Sequence, residues 1–445
     1  MEGKKNEEHL DIENPNNNSK ENDPYASKKA LIYACFIFIG LVNNLGYVLI
    51  ITSAQQFASK LNNETLIAFY PLALILFNSI SRFMNSKYCI TISYFKRILG
   101  LSIYFCFGYL FLFTILTIID YSKDFDQTLA FFLSLIPAII MGTGQSFGEA
   151  TFLGYIRTFP EDYVSGWSSG TGFAGVFGAS LSLIFKIITE QFDLKNLYLI
   201  ISPVTILFFF AFYITFRIKT NIDNKRKIEN ENETENNFSN SLPERPSDLL
   251  DNNNSKATDV SQNKKMSLEN FPLVFKYGKR YILNLLIVYF LEYTICSGLC
   301  ERANHFGYID SRGTFFEKAQ YETFLLCYQI GVVISRSSLF IFKYLKFVEL
   351  LNLFQIVNFV FWFIEAMKGI ISNQWICFAS LILLGLCGGG VYVGCFYFIL
   401  NDNHIPADYK ELCLNICTIF VDFGVLLSSI TCIVLDNTIM KENKK

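Results

Sequence analysis

The feature that most constrains this chain is a series of apolar runs, each long enough to cross a bilayer, which takes about 20 mostly apolar residues. They fall at 30–52, 65–83, 98–119, 129–152, 168–188 and 196–217, and, after a polar break, at 281–300, 320–341, 346–368, 374–400 and 411–436. Inside hydrocarbon the backbone must satisfy its own hydrogen bonds, so such runs are expected to be helices. The expected fold is an all-α polytopic membrane protein of about eleven transmembrane helices, six before the break and five after it. The second run is the weakest, because Pro71 and Asn78 interrupt it. The fifth is rich in Gly and Ser at its start, which suits a span packed against other helices.

Composition agrees. Of 445 residues, 52% are hydrophobic and only 17% charged, against roughly 25% charged in soluble domains. The charges crowd into 1–29, into 217–280 and into short gaps between the runs, where a soluble core would spread them along polar faces. No dense Lys/Arg block stands outside membrane-flanking positions, so nucleic acid is not an expected partner. The 12 cysteines lie mostly inside apolar runs and the 3 histidines are scattered, so neither a disulfide framework, a metal site nor a cofactor is expected. Cys296 and Cys300, one helical turn apart, have no His at ligand spacing. Phosphate loops, nucleophile elbows, His-Glu-x-x-His strings and Ser/His/Asp clusters are all missing, which argues against an ATP-driven pump and against an enzyme, and no catalytic residue is assigned.

The chain divides accordingly. Residues 1–29 read as a disordered cytosolic tail, 30–217 as a six-helix half, 218–279 as a disordered central loop rich in Asn, Glu, Ser, Asp and Lys, 280–436 as a five-helix half, and 437–445 as a polar tail. Two sets of six helices joined by a long central loop is the major-facilitator layout, and here the second half is one helix short. No secretory signal is expected at the start, since the first apolar run is too long for one. Lys and Arg favour one set of flanks, among them Lys28, Lys29, Arg82, Lys96, Arg97, Arg217 and Lys219, which places the N-terminus and central loop in the cytosol. An odd helix count then puts the C-terminus on the other side, against which Lys441, Lys444 and Lys445 argue mildly. Asn63-Glu64-Thr65 is a glycosylation sequon in the first luminal loop.

Lipid cannot solvate charge, so an ionisable residue inside a span is a functional candidate. Glu292 sits mid-span in the seventh run and Asp422 mid-span in the eleventh; Glu149 and Arg336 lie toward the cytosolic ends of the fourth and eighth. A mid-membrane acid is suited to load and release a proton; the competing reading is a structural pair, a carboxylate held by Arg336 or by tyrosine hydroxyls, with Arg336 free to snorkel to the interface. Uncharged polar residues share these helices: Asn43, Asn44 and Tyr47 in the first, Gln145 in the fourth, Tyr289 and Tyr293 in the seventh, Tyr328 and Gln329 in the eighth, Tyr392 and Tyr397 in the tenth, Asn415 in the eleventh. They would line a cavity for a polar or phosphorylated solute, or equally bond helix to helix. Gly144 and Gly148 in the fourth helix, Gly390 and Gly394 in the tenth, and Gly166 and Gly170 form small-xxx-small faces that let backbones pack or gate.

Several strings resemble the battenin family of endolysosomal membrane proteins: Gly40-Leu-Val-Asn-Asn-Leu-Gly-Tyr-Val48, Gly148-Glu-Ala-Thr-Phe-Leu153, Gly166-Trp-Ser-Ser-Gly-Thr-Gly-Phe-Ala-Gly175, Val288-Tyr-Phe-Leu-Glu-Tyr293 and Tyr328-Gln-Ile-Gly-Val-Val-Ile-Ser-Arg-Ser-Ser338. The resemblance runs in order over roughly 31–436. It implies a major-facilitator-like fold of eleven helices in a lysosome, late-endosome or vacuole membrane. It also implies roles in organelle pH, in basic amino-acid handling and in export of glycerophosphodiesters. Family positions of functional weight fall on Glu292, Arg336 and Asp422, and the Gly166–Gly175 segment, joining helices four and five, would line or gate the cavity. Two departures stand out: the chain ends Lys441-Glu-Asn-Lys-Lys445 without a prenylation cysteine, and only Ser247-Asp-Leu-Leu-Asp251 approximates an acidic dileucine signal.

The resulting expectation is a secondary transporter, or transport-associated protein, whose partners are the lipid bilayer, a small polar solute and protons. The alternative is a non-transporting scaffold that gathers trafficking proteins through the central loop.

Overall fold

The computed structural model describes residues 24–61, 66–89, 91–121, 126–160, 163–188, 194–239, 271–304, 308, 312, 314, 316, 319–338 and 348–439. The apolar runs are helices, and among the described residues there is no strand. The first half comprises α1 (Lys29–Lys60), α2 (Phe69–Ile75), α3 (Asn78–Met84) with a π-helical turn after it, α4 (Tyr94–Tyr121), α5 (Gln127–Ile156), α6 (Val164–Ile188), α7 (Leu194–Ile201) and α8 (Val204–Ser239). The second comprises α9 (Phe271–Thr294), a π-helical turn over Ile295–Leu299, α10 (Cys300–Asn304), α11 (Gln320–Ser337), α12 (Val348–Lys368), α13 (Gln374–Asn401) and α14 (Ala407–Asn437). Among the described residues, 9 helical segments are long and apolar enough to cross a membrane. The broken α2–α3 segment and the short α11 fall outside that set.

Local chemistry explains several boundaries. Asp126 opens α5 by accepting the backbone N–H groups of Thr128 at 2.8 Å and Leu129 at 3.4 Å, and Asn373 caps α13 through the Trp375 N–H at 2.9 Å. The second run breaks between Ile75 and Asn78, within the stretch that Pro71 and Asn78 mark. The break lets this segment lie against α5: Ser146 donates to the Asn78 carbonyl at 3.0 Å, and a Cβ on Gly142 would sit 2.5 Å from the carbonyl carbon of Leu74.

Three expected boundaries need correction. The central loop does not begin at 218, because α8 continues to Ser239, and it does not extend to 279, because α9 starts at Phe271. A polar composition rules out burial in lipid but not a helix; Lys219 and Asp223 form an i,i+4 pair at 2.8 Å in this extension. Residues 240–270 lie outside the described residues, as do the sequon at Asn63, the dileucine-like string and most of both tails. The N-terminal tail ends before residue 29: Tyr25 is buried, its ring 5.0 Å from Phe159 and 6.2 Å from Tyr163.

The first half has a continuous aromatic-rich core around Phe36, Tyr155, Phe159 and Phe212. The second half has two clusters, one where α9, α13 and α14 meet and one around Phe324, Trp362 and Phe378. Large apolar side chains such as Ile103, Phe107, Leu353 and Val357 are exposed on the outer faces, as lipid contact requires. The halves meet along α6 against α11 and along α2–α3 against α14.

Candidate functional site

The site lies on the seam between the halves, where polar side chains that a bilayer would reject are turned inward. Arg82, at the end of α3, is its most connected cation. It donates to Glu149 on α5 at 2.9 Å and, across the seam, to Asp422 on α14 at 3.0 Å. Ser79 donates to the same Asp422 oxygen at 3.4 Å. One cation thus holds a carboxylate from each half. The sequence counted Arg82 as a cytosolic flank residue; an Arg closing an apolar run reads the same whether it anchors in headgroups or turns inward.

Glu292 on α9 is 2% exposed. Tyr328 of α11 donates its hydroxyl to Oε1, and Oε2 is buried without a hydrogen-bond partner. That second oxygen faces Gly388 of α13, where a Cβ would come within 2.7 Å of the carboxyl carbon. Arg336 of α11 makes no salt bridge among the described residues. Its guanidinium lies over the Tyr392 ring, 4.6 Å from the centroid, and donates to the Tyr289 hydroxyl at 3.4 Å. Its Nε is buried and unpartnered, while the base of the side chain packs against α6 at Gly172, across the seam. Of the two structural pairings weighed for a mid-span acid, a carboxylate on Arg336 does not form among the described residues, whereas a carboxylate held by a tyrosine hydroxyl does, at Tyr328 and Glu292.

Between the halves Tyr47 of α1 and Tyr293 of α9 share a hydroxyl hydrogen bond of 2.9 Å. They bound a cavity of about 20 Å³ lined also by Thr52, Cys296, Ser297, Leu325, Tyr328 and Gln329, room for about one water molecule. Neither Glu292 nor Asp422 faces it directly, but Tyr328, which lines it, is the group that binds Glu292. The remaining amides sort between the two readings. Asn43 donates to the Gln145 carbonyl at 3.1 Å, and Gln145 donates to Asn44 at 3.0 Å, so this trio joins α1 to α5 within the first half. Asn43 Oδ1 stays buried and unpartnered.

The glycines are mainly close-packing positions. Gly144 abuts Phe105 and Gly148 abuts Asn43; Gly166 and Gly170 abut Tyr33 and the Ile37 backbone of α1; Gly394 abuts Val348, and Gly390 is buried on α13. The Gly166–Gly175 segment does not join two helices as expected: it lies inside α6, with Gly166 and Gly170 on the α1 side and Gly172 and Gly175 toward Arg336 and Gln329 of the other half.

One cluster had no sequence signal beyond its charges. Glu322, near the start of α11, is fully buried and accepts from Lys186 at 2.7 and 2.8 Å and from Gln56 at 2.9 Å. Glu322 stands in the first turns of an otherwise apolar run, where hydropathy averages it away.

Residues 34–442 match the family described as CLN3 protein. Battenin of Dictyostelium discoideum is 28% identical over 416 residues, covering 91% of this chain and 94% of that protein. Protein BTN1 of Candida glabrata is 28% identical over 425 residues, covering 93% and 96%. Among solved structures, a bacterial homologue of the human lysosomal transporter Spinster in an inward-facing, unoccupied conformation aligns with TM-score 0.60 at 12% identity, over 95% of this chain and 85% of that one. A D-xylose–proton symporter aligns with TM-score 0.58 at 10% identity, over 92% and 91%. At these identities the structural likeness speaks for the fold alone.

Proposed function

The chain belongs to the CLN3 protein family, and from that premise we propose that it is a secondary transporter of a lysosome, late-endosome or vacuole membrane. In this reading α2–α3 and α11 also cross the bilayer, giving eleven spans in a six-plus-five arrangement with the N-terminus cytosolic. The two halves rock about the Tyr47–Tyr293 contact and present the seam to each side in turn. The solute is exported from the organelle lumen, and proton movement through Asp422 or Glu292 ties its flux to organelle pH.

The observation that carries the proposal is Arg336: a guanidinium at the seam whose partners are tyrosines and which makes no salt bridge among the described residues. A cation inside a membrane protein that is not directly bonded to an acid is costly and is retained where it meets an anion. A phosphodiester supplies that anion and accepts hydrogen bonds from the surrounding tyrosines, whereas a basic amino acid would set cation against cation. This favours a glycerophosphodiester over a basic amino acid.

The test is uptake of each solute class into vesicles containing the purified protein, under an imposed pH gradient. Glycerophosphodiester uptake should exceed that of lysine or arginine. Arg336→Gln should reduce it by about tenfold or more, the scale of one lost charge-assisted contact. Glu292→Gln and Asp422→Asn should weaken its response to the gradient. Equal or greater uptake of the basic amino acids would reverse the choice of substrate, and unaltered gradient response in both acid variants would remove those residues from proton linkage.

A further inference from the structure

The seam carries a second ionic link, set well away from the first. Asn43 touches Gln145 and Gly148, so Glu149 and its partner Arg82 lie near the level of Asn43 along α1. Gln56 marks the level of Glu322. At about 1.5 Å per residue these levels are roughly 20 Å apart, with the Tyr47 cavity between them. The Glu322 cluster lies one helical turn beyond that cavity: Thr52 precedes Gln56 on α1, and Leu325 follows Glu322 on α11. Lys186 and Gln56 belong to the first half and Glu322 to the second, so this contact must open before the cavity can be reached from that end.

The two links differ in what separation leaves behind. If the halves part at Arg82, the guanidinium loses Asp422 but keeps Glu149, which belongs to its own half. If they part at Lys186, the ammonium and the Gln56 amide both lose Glu322, and Lys186 has no other hydrogen-bond or ion-pair partner among the described residues. The carboxylates fare alike, since the printed partners of Asp422 and of Glu322 among the described residues all lie in the opposing half, so the difference between the links rests on the cations. Unmaking a pair in which the carboxylate is fully buried and the half-buried cation has no substitute partner is the costlier event.

We infer that Lys186, Gln56 and Glu322 form the latch of the second mouth, and that the unequal partnering of the two links biases the resting protein against opening there. The inference rests on the alternating-access reading above and names the residues that position its two states. Weakening the latch should populate the conformation open at the Lys186 end without altering the Arg82 link.

The experiment uses the full chain in vesicles, with Thr52→Cys as a reporter one turn inside the latch and a membrane-impermeant maleimide applied to each side in turn. The chain without the added cysteine supplies the background. Lys186→Met and Glu322→Gln should each raise reporter labelling from the Lys186 side by about tenfold, as expected when a minor open state gains population. The exchanged pair, Lys186→Glu with Glu322→Lys, should return labelling toward the parent level. Parent-level labelling in single variants that elute as one monodisperse species would overturn the latch. So would an exchanged pair that labels as strongly as the single variants, and this arm decides the matter should a single variant fail to fold. Labelling needs no solute, so a protein that carries no solute yet shows the full pattern would cost the substrate assignment and leave the latch standing.

Discussion

Glu292 is held by what surrounds it on three helices. Tyr328 supplies its hydrogen bond, and Gly388 supplies the space for its second oxygen. A buried carboxylate without a donor is strongly unfavourable, so the glycine is as much a part of this position as the tyrosine. Gly388→Ala adds one methyl group where the carboxyl carbon already lies 2.7 Å from the ideal Cβ site. The carboxyl must then move away from Gly388, which disturbs its hydrogen bond with Tyr328. Alanine is the better helix former by up to about 1 kcal/mol, so solute uptake should fall severalfold while the melting temperature stays within a few degrees. Full uptake in this variant would show that the placement of Glu292 is immaterial to flux.

Among the helices, α11 crosses α13 closely within the second half. Their backbones pass at Gly331 and Gly385, where added Cβ atoms would sit 2.9 Å from the Leu386 nitrogen and 2.7 Å from the Val332 nitrogen. That crossing sets the height of Tyr328, Gln329 and Arg336 relative to Gly388 and Tyr392. Gly385→Leu should destabilise the protein by about 2–3 kcal/mol through forced separation of the two helices. Gly100→Ala on α4, where nothing lies within 4 Å of the added atom, should leave stability unchanged or raise it by up to about 1 kcal/mol. Thermal unfolding in detergent separates the two; equal effects would mean that the crossing is not tightly packed. Elements were also where sequence reading did well. Pro71 and Asn78 marked the second run as weak, and it breaks into α2 and α3. Reading polarity as disorder failed at 218–239, because Lys and Glu propagate a helix outside lipid as readily as Leu does within it.

At the scale of the molecule, two helical halves face each other across a polar seam joined by Arg82–Asp422, Tyr47–Tyr293 and Lys186–Glu322. All three connections avoid the central segment, so transport should not depend on it. Replacing 240–270 with a Gly/Ser linker of equal length should leave vesicle uptake within about twofold, since a flexible linker of that length still spans the ends. Loss of uptake in a folded protein would favour the scaffold alternative, in which that segment does the work.

Sequence alone determined the class of fold and most of the long apolar helices, because the cost of exposing backbone and charge to lipid is high enough to be read from single runs of residues. It also marked Glu292, Asp422, Glu149 and Arg336, because an ionisable group in an apolar run is conspicuous without any partner. Which partner each takes was decided only by tertiary structure. Asp422 found Arg82 from a span boundary, Arg336 found tyrosines, and Glu322 met Lys186 across 136 positions of chain. Such pairs depend on the rotation and height of helices set by glycine crossings between distant segments, a geometry that hydropathy along the chain does not encode.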